Sequence, residues 1–325
     1  MRLHENKTLF RQAVQFAADQ MRIPSIYVEK DYWVTYALFT IFRNKIGNET
    51  VFKGGTALSK CFNIIDRFSE DIDLVVLRRE GESNNRLTTK IRTISEVVNS
   101  VLPEVTIDGL TQKMEMNRKT AHSYNREFEG NFADVRDVIV VEATWLGCHE
   151  PYTTTSIISF VGQMMLDNRQ RDIAIANGLL SFDLRVLEPT RTICEKVMSL
   201  VRFSYSEDPI GDLNKKIRHT YDLHQILRQE LFLKFFHSAA FDEMLLKVAN
   251  DDVVSFKNNN MWLVHHPCDA LIFRDLVNVW DKMRATYNAS FRNLVYGELP
   301  REEEVLKTLE MIQERLRAVS WSVEI

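Results

Sequence analysis

Two aspartates, Asp71 and Asp73, stand one residue apart inside an apolar run, shortly after a Gly-Gly-Thr turn in the stretch VFKGGTALSKCFNIIDRFSEDIDLVV (51–76). Residues i and i+2 of a β-strand point to the same face, so Asp71 and Asp73 would lie side by side with Ile72 turned away. Two adjacent carboxylates repel unless a cation joins them, and hard oxygen donors suit a divalent metal. Two-metal chemistry needs such acids to hold two Mg²⁺ roughly 3.5–4 Å apart. A solvated D-x-D turn is the bland alternative, but Leu74-Val75-Val76 continues as a strand. Gly54 and Gly55 let the backbone approach phosphates without a Cβ in the way, and the helix start behind them favours anions. Thr56 either caps that helix or gives its hydroxyl to a phosphate. Lys53 is either a surface lysine or a phosphate neighbour, and Arg67 and Ser69 either brace the loop before the acids or touch substrate. The stretch therefore reads as a metal-nucleotide site.

The elements that position it follow from periodicity. Helical spacing covers 6–21 and, after Pro24, 26–42. Near the start of the second helix lie Glu29, Lys30 and Asp31, which read most simply as a solvated first turn. The site stretch resolves into a strand at 51–52, a helix over 56–63 and a strand over 72–77. A loop at 81–85 and a helix over 87–101 follow. Weakly alternating residues 105–129 suggest strands. DVIVVEATW (137–145) is a clear strand whose one polar intruder is Glu142. Strands at 153–160 and 181–187 flank a short helix at 162–169. From Pro189 the pattern is helical: 189–203, a loop at 204–212, then 217–228, 231–248, 270–285 and 302–319. The fold class is α+β, a mixed sheet flanked by helices and followed by an all-helical C-terminal part. The expected domains are 1–188 and 189–325, without a long linker.

At 325 residues, with 45% apolar and 26% charged residues, the chain can bury a substantial core. Lys+Arg 41 against Asp+Glu 45 leaves a net charge of −4, which disfavours a nucleic-acid coat protein but permits a local basic groove. No apolar run reaches the roughly 20 residues of a membrane span, and the polar N-terminus lacks the core of a signal peptide. Cys61, Cys148, Cys194 and Cys268 form no C-x-x-C pair, as expected of free thiols in the cytoplasm. His265-His266-Pro267-Cys268 and Cys148-His149-Glu150 have no second cluster at zinc spacing. Lys215, Lys216, Arg218 and His219, with Arg86, Lys90 and Arg92, either line an RNA-facing rim or are solvated helix faces.

Gly-Gly-Thr followed by Asp-x-Asp is similar to the first motif of the DNA polymerase β-like nucleotidyltransferase superfamily. More closely, EKDYWVTYAL (29–38), FKGGTALSK (52–60), RFSEDIDL (67–74), EPTRTICEKVMSL (188–200) and RHTYDL (218–223) resemble the AbiEii/AbiGii-type toxins of abortive-infection and toxin–antitoxin pairs. The blocks occur in family order; the last hundred residues match only as a helical tail. The resemblance implies a nucleotidyltransferase fold, with 189–325 contributing to the active site. It implies Glu142 as a third metal ligand or base; without it, Glu142 would be an edge-strand residue facing solvent, or a buried acid in need of a cation. Lys196, otherwise a snorkelling lysine, is placed toward nucleotide phosphates. Asp222, otherwise an i, i+4 partner of Arg218, would orient Lys196 or bind base or ribose. Arg191, Arg218 and His219 would surround them, and Thr220 replaces a common aromatic. The implied activity is Mg²⁺-dependent transfer of a nucleotide from NTP to an RNA acceptor such as a tRNA 3′ end, restrained by a cognate antitoxin. Transfer to a protein hydroxyl and a non-catalytic nucleotide-binding module are the alternatives.

Overall fold

The computed structural model describes residues 1–69, 71–130, 136–147, 150–257 and 259–325. Cys148 and His149 of the Cys-His-Glu run lie outside the described residues. The chain divides into two compact units. Residues 1–62, 68–145 and 152–186 form one; 63–67, 146–151 and 187–325 form the other.

The first unit runs α1 (Lys7–Met21), α2 (Ser25–Arg43), β1 (Thr50–Lys53), α3 (Gly54–Lys60), β2 (Asp71–Val76), α4 (Asn84–Asn99), β3 (Glu104–Val105), β4 (Gln112–Lys113), β5 (Asn117–His122), β6 (Ile139–Thr144), β7 (Tyr152–Ile157), α5 (Phe160–Asp167), α6 (Arg171–Ala176) and β8 (Phe182–Leu187). The strands form one mixed sheet in the order β3-β5-β6-β2-β1-β8-β7, with β4 beside β5. β2 pairs antiparallel with β1 and parallel with β6, and β6 pairs antiparallel with β5. Ile72, Leu74, Val141 and Ala143 share one face and are buried, with α2 and α4 packed on the sheet. The opposite face carries Asp71, Asp73 and Glu142.

Glu29, Lys30 and Asp31 are not a solvated first turn; all three are buried. Helix α2 is enclosed by the sheet and its neighbours, so each charge finds a fixed partner. Glu29 accepts the backbone N–H groups of Glu127 (2.7 Å) and Phe128 (3.1 Å). Lys30 donates to the carbonyls of Arg136 and Val138, which tethers the chain entering β6. Asp31 pairs with Lys60 at the end of α3 and accepts the N–H of Phe160 (2.7 Å) at the start of α5. Lys90 is likewise neither rim nor solvated: it is buried, donating to the Leu77 carbonyl (2.8 Å) and pairing with Glu82 and Glu49.

The second unit holds α7 (Pro189–Phe203), α8 (Pro209–Lys215), α9 (Ile217–Leu227), α10 (Glu230–Phe236), α11 (Ala239–Ser255), α12 (Leu271–Arg274), α13 (Leu276–Thr286) and α14 (Glu302–Arg317) around buried Tyr221, Phe236, Phe241, Phe273, Trp280 and Tyr287. Three expectations are corrected here. The loop at 204–212 contains the start of α8: Asp208 caps it by accepting the Gly211 N–H (3.1 Å), and Pro209 suits its first turn. The helix at 231–248 is two, because Ser238 turns its hydroxyl onto the Phe235 carbonyl (2.7 Å) and closes α10. The helix at 270–285 breaks at Asp275 (φ −130°). Among the described residues no helix is long and apolar enough to cross a membrane.

Candidate active site

β1 ends at Lys53 in extended backbone, and Gly54 then takes φ +82°, a left-handed turn that glycine enters without strain. The glycine serves a second purpose. A Cβ at Gly54 would lie 2.2 Å from Asp73 Oδ2, so the Asp73 carboxylate rests against the bare Cα of the turn. Thr56 does not cap α3. It is buried and donates to the Asp71 carbonyl (2.6 Å), with its hydroxyl 2.9 Å from Ser69 Oγ. Thr56 and Ser69 thus tie the start of β2 to the first turn of α3, a bracing role that sets where the aspartates begin.

Register assembles the rest. Lys53 on β1 faces Asp73 on β2, Asp73 faces Glu142 on β6, and Glu142 faces Lys119 on β5. Cross-strand partners share a face, so four side chains form a transverse row with charges plus, minus, minus, plus. Asp71 lies two residues along β2 on that face. β6 is interior to the sheet, which corrects the reading of Glu142 as an edge-strand residue. Lys119 Nζ lies 3.0 Å from Glu142 Oε2, and Asn117 Nδ2 donates to Glu142 Oε1 (3.1 Å). Arg136 Nη1 lies 2.8 Å from Asp71 Oδ1. Burial, then the charges of Glu142 and Asp71, push the Asp73 carboxyl up to about 7 despite Lys53 and Lys119. Burial works against the Lys119 ammonium, but Glu142 overcomes it and raises its pKa.

This face fits a divalent cation in its chemistry: three carboxylates crowd one face, and Asp73 carries negative charge that its neighbours oppose. As they stand, no three His, Cys, Asp or Glu side chains among the described residues converge on a metal position. Arg136 and Lys119 hold two of the three acids.

In the second unit, Lys196 on α7 and Asp222 on α9 meet: Lys196 Nζ donates to Asp222 Oδ2 at 2.7 Å. Arg67, from the short segment 63–67 of the same unit, binds both Asp222 oxygens (2.6 and 2.7 Å). Asp222 and Arg67 are fully buried. Burial alone would raise the Asp222 pKa, but Arg67 and Lys196 hold it well below the usual carboxylate range. His219 Nδ1 lies 3.4 Å from Lys196 Nζ, and burial followed by that ammonium keeps the ring neutral. Arg67 therefore braces Asp222 from a buried position. Arg191, also buried, pairs with Glu195 (3.1 Å) and Asp251 (2.5 Å).

The structure thus gathers Asp71, Asp73 and Glu142 with Lys53, Gly54 and Gly55 in one unit, and Lys196 with Asp222 in the other. Lys119, Arg136 and Asn117 were not singled out from sequence. Alternation in NRKTAH would have put Asn117 and Lys119 on one face, but their pairing with Glu142 depends on long-range register. In the His265-His266-Pro267-Cys268 run, His265 stacks on Tyr205 (4.8 Å between centroids), and His266 bridges the Cys268 N–H (3.2 Å) and Val319 carbonyl (3.0 Å).

A mixed sheet that carries a glycine turn, an Asp-x-Asp strand and a third acid on the adjoining strand is the architecture of a nucleotidyltransferase. The chain shares its fold with MenT4, a nucleotidyltransferase toxin from Mycobacterium tuberculosis H37Rv, at TM-score 0.50 and 16% identity over 92% of this chain and 98% of that one. The model of the family described as nucleotidyl transferase AbiEii toxin, type IV toxin–antitoxin system, matches residues 36–318, and the chain belongs to that family. No curated protein matches it by sequence.

Proposed function

We propose that this nucleotidyltransferase moves a nucleotide from an NTP to an RNA acceptor, the 3′ end of tRNA being the expected one, in the cytoplasm and under restraint by a cognate antitoxin. The observation that carries the reading is the register of β1, β2 and β6, which sets Asp73 beside Glu142 and above Gly54, with Asp71 on the same face. Asp71, Asp73 and Glu142 would hold Mg²⁺, which when bound neutralises triphosphate charge and sharpens the acceptor hydroxyl as a nucleophile. Gly54 and Gly55 leave backbone room for the phosphates, and Lys53 adds a positive charge at the turn. Thr56 and Ser69 hold the aspartate strand to that turn. Glu142 is also the carboxylate suited to take the acceptor hydroxyl's proton. In the helical domain, 189–325, Lys196 is assigned to phosphate, with Asp222 and neutral His219 fixing its direction and charge. Catalysis of this kind needs positioning and charge neutralisation rather than a covalent protein intermediate.

The test is incubation of the protein with each α-labelled NTP, Mg²⁺ and total tRNA, beside an Asp71→Asn/Asp73→Asn double variant. Label should enter RNA with the wild type and fall at least about a thousandfold with the variant. Equal labelling by both proteins would sink the metal assignment. Label that follows a protein band instead of RNA would move the acceptor to a protein hydroxyl.

A further inference from the structure

The four-residue row across the sheet contains one member that the proposed reaction does not use. Lys119 sits at its end, across from Glu142, and its ammonium lies 3.0 Å from Glu142 Oε2. Glu142 is one of the three carboxylates assigned to metal. A cation that takes Glu142 must therefore compete with the lysine already there. Both side chains are partly open to solvent, at 25% and 32%, so the pair can separate without opening the core. Glu142 keeps a second anchor when they part, the Asn117 Nδ2 donor at 3.1 Å. An ammonium on a flexible four-carbon stem that loses its carboxylate beside a newly bound triphosphate has an obvious new partner.

We propose that Lys119 is a built-in counter-ion of the carboxylate row: it pairs with Glu142 in the cation-free protein, and passes to an anionic phosphate group of the nucleotide when a divalent cation claims Glu142. This rests on the metal reading above. The exchange keeps the row's charge balanced in both states. It holds two acids side by side before the cation arrives, and it makes cation and nucleotide binding mutually supportive, because each removes an obstacle to the other. Lys119 is a positioning residue for Glu142 in one state and a substrate contact in the other.

The exchange predicts opposite movements of two affinities, which loss of a merely structural lysine would not produce. Mn²⁺ binding to the nucleotide-free protein is read by electron paramagnetic resonance of the free ion. Lys119→Met should bind Mn²⁺ about tenfold tighter than wild type, because a competing charge is gone, and Lys119→Arg should stay near wild type. In saturating Mn²⁺, the α,β-methylene analogues of the four nucleoside triphosphates are titrated by calorimetry. The best-bound analogue should bind Lys119→Met about tenfold more weakly than wild type. Unchanged or weaker Mn²⁺ binding by Lys119→Met overturns the proposal, as does unchanged nucleotide binding. Asp73→Asn separates the two layers of the argument. If it abolishes Mn²⁺ binding while Lys119→Met fails to tighten it, the metal reading stands and the counter-ion falls. If wild type and Asp73→Asn bind Mn²⁺ alike, both fall together.

Discussion

Gly54 is constrained by a carboxylate. Its φ of +82° already disfavours a side chain, and the space a Cβ would occupy belongs to Asp73 Oδ2. Gly54→Ala should therefore push Asp73 off the face it shares with Glu142. We expect a destabilisation of about 2 kcal/mol in denaturant titration and a loss of nucleotidyl transfer far larger than that stability change explains. Gly54 was chosen from sequence as a residue that lets phosphate approach; the structure adds that it lets an acid approach. Thr56 moved the other way, from cap or phosphate donor to a brace between α3 and β2. A hydroxyl's local options are visible in sequence, but which acceptor it takes depends on a strand that returns beside it.

Helix α2 shows what burial does to an apparently solvent-facing turn. Its Glu29-Lys30-Asp31 triplet ties three separate parts of the first unit: the backbone at 127–128, the entry to β6, and the α3 and α5 ends. Removing one member of a buried ion pair strands the other. Asp31→Ala should cost about 3 kcal/mol, and Asp31→Leu combined with Lys60→Met should recover much of it, as read by urea unfolding. No recovery in the double variant would mean that the lost Phe160 N–H bond, rather than the stranded Lys60, dominates. The apolar periodicity of 26–42 identified this helix, but its charged first turn was misread because nothing local reveals that a second layer covers it.

At the scale of the whole chain, the buried histidines weaken the fold toward acid. Burial lowers the pKa of His4, His122, His219 and His224, most strongly for His219 beside the Lys196 ammonium. A base whose folded pKa lies below its unfolded value of about 6.5 takes its proton preferentially in the unfolded chain. Stability is thus unaffected above that pH and falls as pH drops below it. Asp73, raised to about 7, and Glu29, also raised, work the opposite way because they take protons preferentially in the folded chain. The histidine share is therefore read by difference: between pH 7 and pH 5 the thermal midpoint of His219→Gln should fall less, or rise more, than that of the wild type. The same pH dependence in variant and wild type would remove His219 from the account. Asp222, with its pKa held low, adds a further loss only at far lower pH.

The sequence by itself determined the class of the fold and the acid pair. Strand alternation puts Asp71 and Asp73 on one face wherever the strand lies, and glycines before a helix mark a turn in any context. Family blocks added Glu142, Lys196 and Asp222 as expectations. Only the tertiary structure decided which cations oppose those acids. Lys119 meets Glu142 because β5 and β6 pair in one register, and Arg67 meets Asp222 across 155 positions of sequence. Alternation is a local property of one strand, whereas an ion pair between strands is a property of register, and register is set by the packing of the whole sheet.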